Sequence, residues 1–224
     1  NIPFTWVHDI KNFNGKLLVS TESSGLWVFD PKTSETMKVP LGIEQKAIYD
    51  ATYFDGDYYL HMADKLVKVG QSSRKTVLVK EDVKIVELIS TPDYLYFTTS
   101  KGLFRQEEEN GFIQLLSGEI QKITAVDNGV VAIANNKIHF IDTNGVKATQ
   151  KLPPKIRILT SSFDGRSIFT LSTTGEINKY SWNDLTLESH NYSNTDATTA
   201  RQFLHDQSGV LWVVSNQGVQ QVSE

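Results

Sequence analysis

Residues Trp6 to Asp30 read WVHDIKNFNGKLLVSTESSGLWVFD. Three short runs rich in apolar and β-branched residues, Trp6 to Phe13, Lys16 to Thr21 and Leu26 to Asp30, are separated by Asn14-Gly15 and Ser24-Gly25. Asn-Gly between two such runs marks a two-residue hairpin, because both central residues of that turn need positive φ. A fourth run, Thr36 to Val39, follows a longer loop. The stretch therefore predicts four antiparallel strands, and what it becomes depends on whether the pattern recurs.

It does recur. Turn pairs between apolar runs stand at Asn14-Gly15, Asp55-Gly56, Pro92-Asp93, Asn128-Gly129, Asp164-Gly165 and Ser208-Gly209, and their second members are 41, 37, 36, 36 and 44 residues apart. A second series of turns, at Gly25, Lys65, Gly102, Lys137, Gly175 and Gly218, follows the first by 10, 9, 9, 8, 10 and 9 residues. Second runs such as Tyr58 to Leu60, Val130 to Ile133 and Leu211 to Val214 lack polar alternation, as expected of strands buried on both faces. Helices find no support, since Gly, Thr, Asn and β-branched residues interrupt every candidate stretch before about 10 residues accumulate.

A phased four-strand unit at this period is the sequence form of a β-propeller blade. A sandwich also uses short strands, but nothing in it repeats one unit six times. The expectation is an all-β propeller of six visible blade repeats, with innermost strands Trp6 to Phe13, Ala47 to Phe54, Ile85 to Ser90, Ile123 to Val126, Ile158 to Phe163 and Gln202 to His205. Residues 1–224 are read as a single propeller domain.

Composition narrows the function. Lys plus Arg number 22 against 26 Asp plus Glu, the net charge is -4, and no cationic cluster exists to release counterions from nucleic acid or anionic lipid. Neither is expected as a partner. The chain has no cysteine, so thiolate metal sites, disulfides and cysteine nucleophiles are excluded. No apolar stretch approaches the roughly 18 residues of a membrane span.

The last unit, Leu204 to Val219, carries Asp206, Gly209, Trp212, Ser215 and Gly218, and it resembles the two-component regulator propeller repeat: Asp, two residues, Gly, two residues, an aromatic, a small polar residue, then Gly and an aliphatic. Ser20 to Asp30 and Thr98 to Phe104 repeat its second half. Units two and four depart from it, with Lys65 and Asn136-Lys137 where the Gly belongs. The resemblance implies a periplasmic or extracellular sensor region of a bacterial hybrid two-component system, perceiving carbohydrate fragments and joined to other domains of the same protein. The motif residues also have structural work: Asp206 can bond turn amides, the glycines relieve φ strain and Trp212 can pack between blades.

No catalytic constellation is legible. The five histidines, His8, His61, His139, His190 and His205, fall far apart in sequence and are read as structural or surface residues. Asp55, Asp57, Asp93, Asp127 and Asp164 could supply a glycosidase pair, but they sit where turns need caps. Two residues separate Asp206 from Gly209, where a sialidase Asp-box has one. Glu107 to Gly111 reads as a solvated hairpin tip. The chain is thus expected to be a non-catalytic binding or sensing module without cofactor or metal; a propeller glycosidase or polysaccharide lyase and a protein-docking scaffold are the alternatives.

Loops after second strands and before first strands meet at one edge of every blade, and loops on a rigid scaffold carry function. The expected ligand contacts are Glu22, His61, Lys101, Asn136 and Asn216 from the former, with Arg157 and Arg201 from the latter. Lys46, Lys84, Lys122, Arg157 and Arg201 stand near the start of five first strands, and a cationic rim would favour an anionic oligosaccharide. Their distances to the following turn, 10, 9, 7, 8 and 8 residues, do not keep side-chain parity.

The ends bear on closure. Glu224 lies 6 residues after Gly218, enough for a third strand and no fourth, and Asn1 to Phe4 is too short to lend one, with Pro3 unable to donate to a ladder. The chain is expected to be a piece of a longer repeat array, such as an incomplete seven-bladed propeller; a six-bladed ring with a three-stranded last blade is the alternative.

Overall fold

The computed structural model describes residues 6–42, 47–63, 65–70, 75–79, 85–107, 111–152, 157–182, 184–189, 200–206, 210–215 and 218–222. The tight turns form where the sequence puts them. Asn14 and Gly15 both take positive φ, 51° and 76°, and join β1 (Val7–Phe13) to β2 (Lys16–Thr21). β3 (Leu26–Asp30) and β4 (Glu35–Lys38) complete the first sheet in the order β1-β2-β3-β4.

The pattern then repeats. The second blade is β5 (Asp50–Phe54), β6 (Asp57–Met62), β7 (Lys65–Val69) and β8 (Lys75–Val79); the third is β9 (Ile85–Ser90), β10 (Leu95–Thr99), β11 (Gly102–Gln106) and β12 (Phe112–Ser117). The fourth is β13 (Ile120–Val126), β14 (Gly129–Ala134), β15 (Lys137–Asp142) and β16 (Gly145–Lys151). The fifth is β17 (Ile158–Phe163), β18 (Ser167–Ser172), β19 (Ile177–Ser181) and β20 (Leu187–Ser189). The sixth has three described strands, β21 (Ala200–His205), β22 (Leu211–Ser215) and β23 (Gly218–Val222). Every sheet is an antiparallel meander, no helix occurs among the described residues, and the fold is a β-propeller of six blades.

The chain divides into two compact units, Asn1–Gln114 and Leu115–Glu224. In the first unit β5 lies beside β1 and β9; in the second β17 lies beside β13 and β21. First strands thus neighbour first strands within each unit, as the inner strands of blades must. Asn1 to Phe4, which bear on closure, lie outside the described residues.

The unalternating second strands have a direct cause in the clusters on either side of them. In β6, Leu60 and Met62 join Leu18, Leu26 and Val28 of blade 1, while Tyr59 joins Ile85, Leu88 and Phe97 of blade 3. In β18, Ile168 joins Val131 and Ile138 of blade 4, and Phe169 and Leu171 join Phe203, Leu211 and Val213 of blade 6. Each middle blade is apolar on both faces, and each buried aliphatic or aromatic side chain contributes about 1.5 to 3 kcal/mol. All six residues of β14 and of β18 are buried, whereas β4, β12 and β16 keep exposed positions as outer strands.

Four expected inner strands begin elsewhere, β1 by one residue, at Val7 rather than Trp6. β13 starts at Ile120 rather than Ile123 and β21 at Ala200 rather than Gln202, because each pairs through a bulge that breaks the apolar alternation at its start. β5 starts at Asp50 rather than Ala47, since the Ile48 N–H is spent on the Thr21 carbonyl of blade 1.

Candidate functional site

The same irregularity marks the start of five first strands. Two residues of the first strand oppose one of the second at His8, Val86, Gln121, Leu159 and Arg201. A bulge leaves one residue out of the ladder and re-aims its side chain, and bulges are over-represented beside functional sites. It also shifts side-chain parity by one along the strand. Of those cations, Lys122 is half-buried and Arg157 exposed; Lys46, Lys84 and the Arg201 side chain lie outside the described residues.

At blade 1 the extra residue is His8, and it builds a cluster. Its Nε2 is hydrogen-bonded to a Glu22 carboxylate oxygen, with the side chains 30% and 49% exposed. Its ring lies 4.8 Å from that of Tyr49, which lies 5.3 Å from that of His61. His61 is buried, and its Nε2 is 3.1 Å from the Ala63 carbonyl. The Tyr49 N–H donates to the His61 carbonyl at 2.9 Å, and the Glu22 N–H donates to the Trp6 carbonyl at 3.0 Å. Trp6 itself is 81% exposed and Tyr49 38% exposed. The Tyr49 ring, two imidazoles and a carboxylate therefore lie together where blades 1 and 2 meet, and the exposed Trp6 is tied to Glu22 through its backbone. Among the described residues no group of three or more His, Asp or Glu could hold a metal ion.

Close to this cluster lies a charge pair with a buried carboxylate and a half-buried ammonium side chain. The Lys11 ammonium bonds Asp50 Oδ1 and the Leu88 carbonyl, while Asp50 Oδ2 accepts the Leu88 N–H at 2.7 Å, so one side-chain pair links β1, β5 and β9. Burial pushes the Asp50 carboxyl up to about 7 against the pull of Lys11. Burial acts to lower the Lys11 ammonium, but Asp50, Asp9 and Glu87 together more than offset it and leave it raised.

Of the expected contacts, Glu22 and His61 are brought into one cluster through His8 and Tyr49. Lys101 lies in the β10–β11 turn, its N–H donating to Thr99 Oγ1 at 3.0 Å and its carbonyl accepting from Gln114 Nε2 at 2.8 Å. Asn136, at φ 59°, is held by its side-chain bond to the Leu152 carbonyl at 3.1 Å. The Arg157 carbonyl accepts from the Thr173 N–H at 2.8 Å. The Arg201 side chain and Asn216 lie outside the described residues.

Trp6, His8 and Tyr49 were not expected contacts; His8 and His61, far apart in sequence, both pack against the Tyr49 ring. Of the turn acids, Asp164 acts as the expected cap, its Oδ1 accepting the Arg166 and Ser167 N–H groups at 2.8 and 2.7 Å, whereas Asp57 pairs with Lys68 at 2.9 Å. Asp206 accepts the Val210 N–H at 3.0 Å and the Trp212 indole N–H at 2.8 Å, so the motif's Asp and Trp fasten one another within their blade.

No family model matches the chain, and no curated protein matches it in sequence. Solved structures do. The extracellular domain of a putative hybrid two-component system from B. thetaiotaomicron matches over 97% of this chain with a TM-score of 0.71 at 16% identity, and this chain spans 32% of its length. A WD40 β-propeller domain matches with a TM-score of 0.68 at 11% identity over 95% of this chain and 76% of its own. Streptogramin B lyase matches with a TM-score of 0.59 at 13% identity over 100% of this chain and 95% of its own. At these identities the likeness shows the propeller fold. It extends to the extracellular domain of a two-component system, a WD40 propeller and a lyase.

Proposed function

We propose that this propeller is a non-catalytic binding module of a bacterial sensor protein, placed in the periplasm or outside the cell, and that its ligand is a carbohydrate fragment. The observation that carries the reading is the cluster at blades 1 and 2. Exposed Trp6 and Tyr49 offer apolar ring faces, and Glu22 and His8 stand beside them with hydrogen-bonding atoms, with the buried His61 packed against Tyr49. Sugars present an apolar C–H face and a fringe of hydroxyls, which is what such a mixed site fits. The structural likeness to a two-component sensor's extracellular domain supports the same reading. Other domains of that sensor are its expected partners.

Thermal shift across an oligosaccharide panel tests it. A ligand at 100 times its Kd adds about 2.7 kcal/mol to stability, a shift of several degrees in Tm. Parallel incubation with polysaccharides should release no reducing ends and no unsaturated product; either product would replace binding with hydrolysis or elimination. A flat response across the panel favours the docking reading. That second reading rests on the exposed apolar residues Met37, Val146 and Leu187 of outer strands β4, β16 and β20.

A further inference from the structure

The cationic strand starts pointed toward acidic sugars, but the charge joined to the aromatic cluster is negative. Glu22 is bonded to His8, and its backbone N–H is bonded to Trp6. Among the described residues, four ammonium groups of blades 1 and 2 have other commitments: Lys11 to Asp50 and the Leu88 carbonyl, Lys16 to Asp30 at 3.2 Å, Lys38 over the Trp27 ring at 5.8 Å, and Lys68 to Asp57. Lys65 opens β7 on this edge, yet no contact joins it to the rings among those described. We infer that this edge is a subsite for an uncharged sugar, its C–H face against Trp6 and Tyr49 and its hydroxyls donating to Glu22 and bonding His8, and that it rejects uronic acids. The inference rests on the carbohydrate reading above and adds the charge class and the residues that set it.

The selectivity has a simple origin. A sugar hydroxyl donates to a carboxylate in a charge-assisted bond, whereas a uronate carboxylate at the same place meets like charge in a partly desolvated site. The Trp6 carbonyl ties its backbone to Glu22, and the Tyr49 ring packs against two imidazoles, so part of the surface is set before a ligand arrives.

The test is calorimetric titration of the intact chain with neutral fragments of cellulose, xylan and mannan, and with one matched pair, oligogalacturonate and its methyl ester. The neutral fragments or the ester should bind at least tenfold more tightly than the free acid. Trp6→Ala and Tyr49→Ala should each weaken neutral binding about tenfold with circular dichroism unchanged. Glu22→Gln should weaken neutral binding and tighten oligogalacturonate, a crossing of preferences that general loss of structure does not produce. Quenching of tryptophan fluorescence by the neutral ligand should fall in Trp6→Phe. Tighter binding of the free acid than of its ester overturns the charge class while leaving the carbohydrate reading standing. Neutral binding unaffected by all three substitutions overturns the location. No binding by any fragment overturns both.

Discussion

The inner strands of the first unit are joined by an ionic link on top of the hydroxyl pairing that both units share. In residues 1–114 the link is ionic, Lys11 on β1 with Asp50 on β5 and the backbone of Leu88 on β9. Both units carry a hydroxyl pair between inner strands, Thr52 Oγ1 of β5 with Ser90 Oγ of β9 at 2.8 Å in the first and Thr124 Oγ1 of β13 with Ser161 Oγ of β17 at 2.5 Å in the second. A hydroxyl pair adds about 1 kcal/mol and tolerates loss. A buried ion pair returns little net stability when intact, yet removal of one partner strands the other in a dry site at a cost of about 3 to 5 kcal/mol. The first unit is therefore fastened conditionally, close to its aromatic edge, and the second is not.

Lys11→Met should give the largest effect, a loss of about 3 to 5 kcal/mol in denaturant unfolding, because Asp50 is left buried without its cation. Lys11→Met combined with Asp50→Leu should recover most of it. A double variant as weak as the single would show that the pair is not what fastens the strands. The pH dependence has a definite sign. The Asp50 carboxyl titrates near 3.8 when unfolded and about 7 when folded, so between these values the folded chain holds a proton that the unfolded chain has lost. Its contribution is fully present below about pH 4 and is lost as pH climbs toward 7. Unfolding midpoints at pH 5 and pH 8 should differ more for the native chain than for Asp50→Asn.

Gly129 sharpens the comparison from the neutral side. A Cβ added there would meet the Ile141 carbonyl oxygen at 2.1 Å, inside a strand buried along its whole length. Gly129→Ala should cost about 1 to 3 kcal/mol from overpacking. At Gly15 nothing lies within 4 Å of an added Cβ, so only its φ of 76° penalises alanine, by about 1 kcal/mol. Equal losses at the two sites would refute the distinction between steric and conformational glycines. Thr124→Val should cost about 1 kcal/mol, well below Lys11→Met, and a loss of comparable size would erase the contrast between the units.

The blades were legible because turns and burial are local. Asn14-Gly15 and Asp55-Gly56 announce positive φ, and both faces of β6 and β18 are apolar because each meets a neighbouring blade. The site was only half legible. Glu22 and His61 could be placed from their loops, but Trp6, His8 and Tyr49 could not, because what joins them is a bulge and a crossing between blades. A bulge changes parity without changing composition, so the sequence around His8 reads as an ordinary strand. The signal that was present is the histidine two residues after the exposed Trp6, at a strand start where four other blades also carry an extra residue. The Lys11–Asp50 pair left no trace, since its partners lie 39 residues apart and neither stands in a motif.

The smallest effect concerns His139 and runs opposite to Asp50. His139, on β15, is buried with Nδ1 3.0 Å from Thr149 Oγ1. Burial first, and then the charge of Lys137, hold its imidazole below the ordinary value of 6.5. A folded-state value below the unfolded one means that the unfolded chain takes up the proton first as pH falls. The contribution of His139 is therefore present above pH 6.5 and lost below it. Acidification from pH 7 to pH 5 thus weakens the second unit through His139 while strengthening the first through Asp50. Hydrogen exchange resolved by peptide can separate them. Over that interval protection of Lys137–Asp142 should fall while protection of Asp50–Phe54 rises, and His139→Gln should flatten the former alone. Parallel changes in both segments would show that a single cooperative transition, rather than two oppositely titrating groups, governs the response.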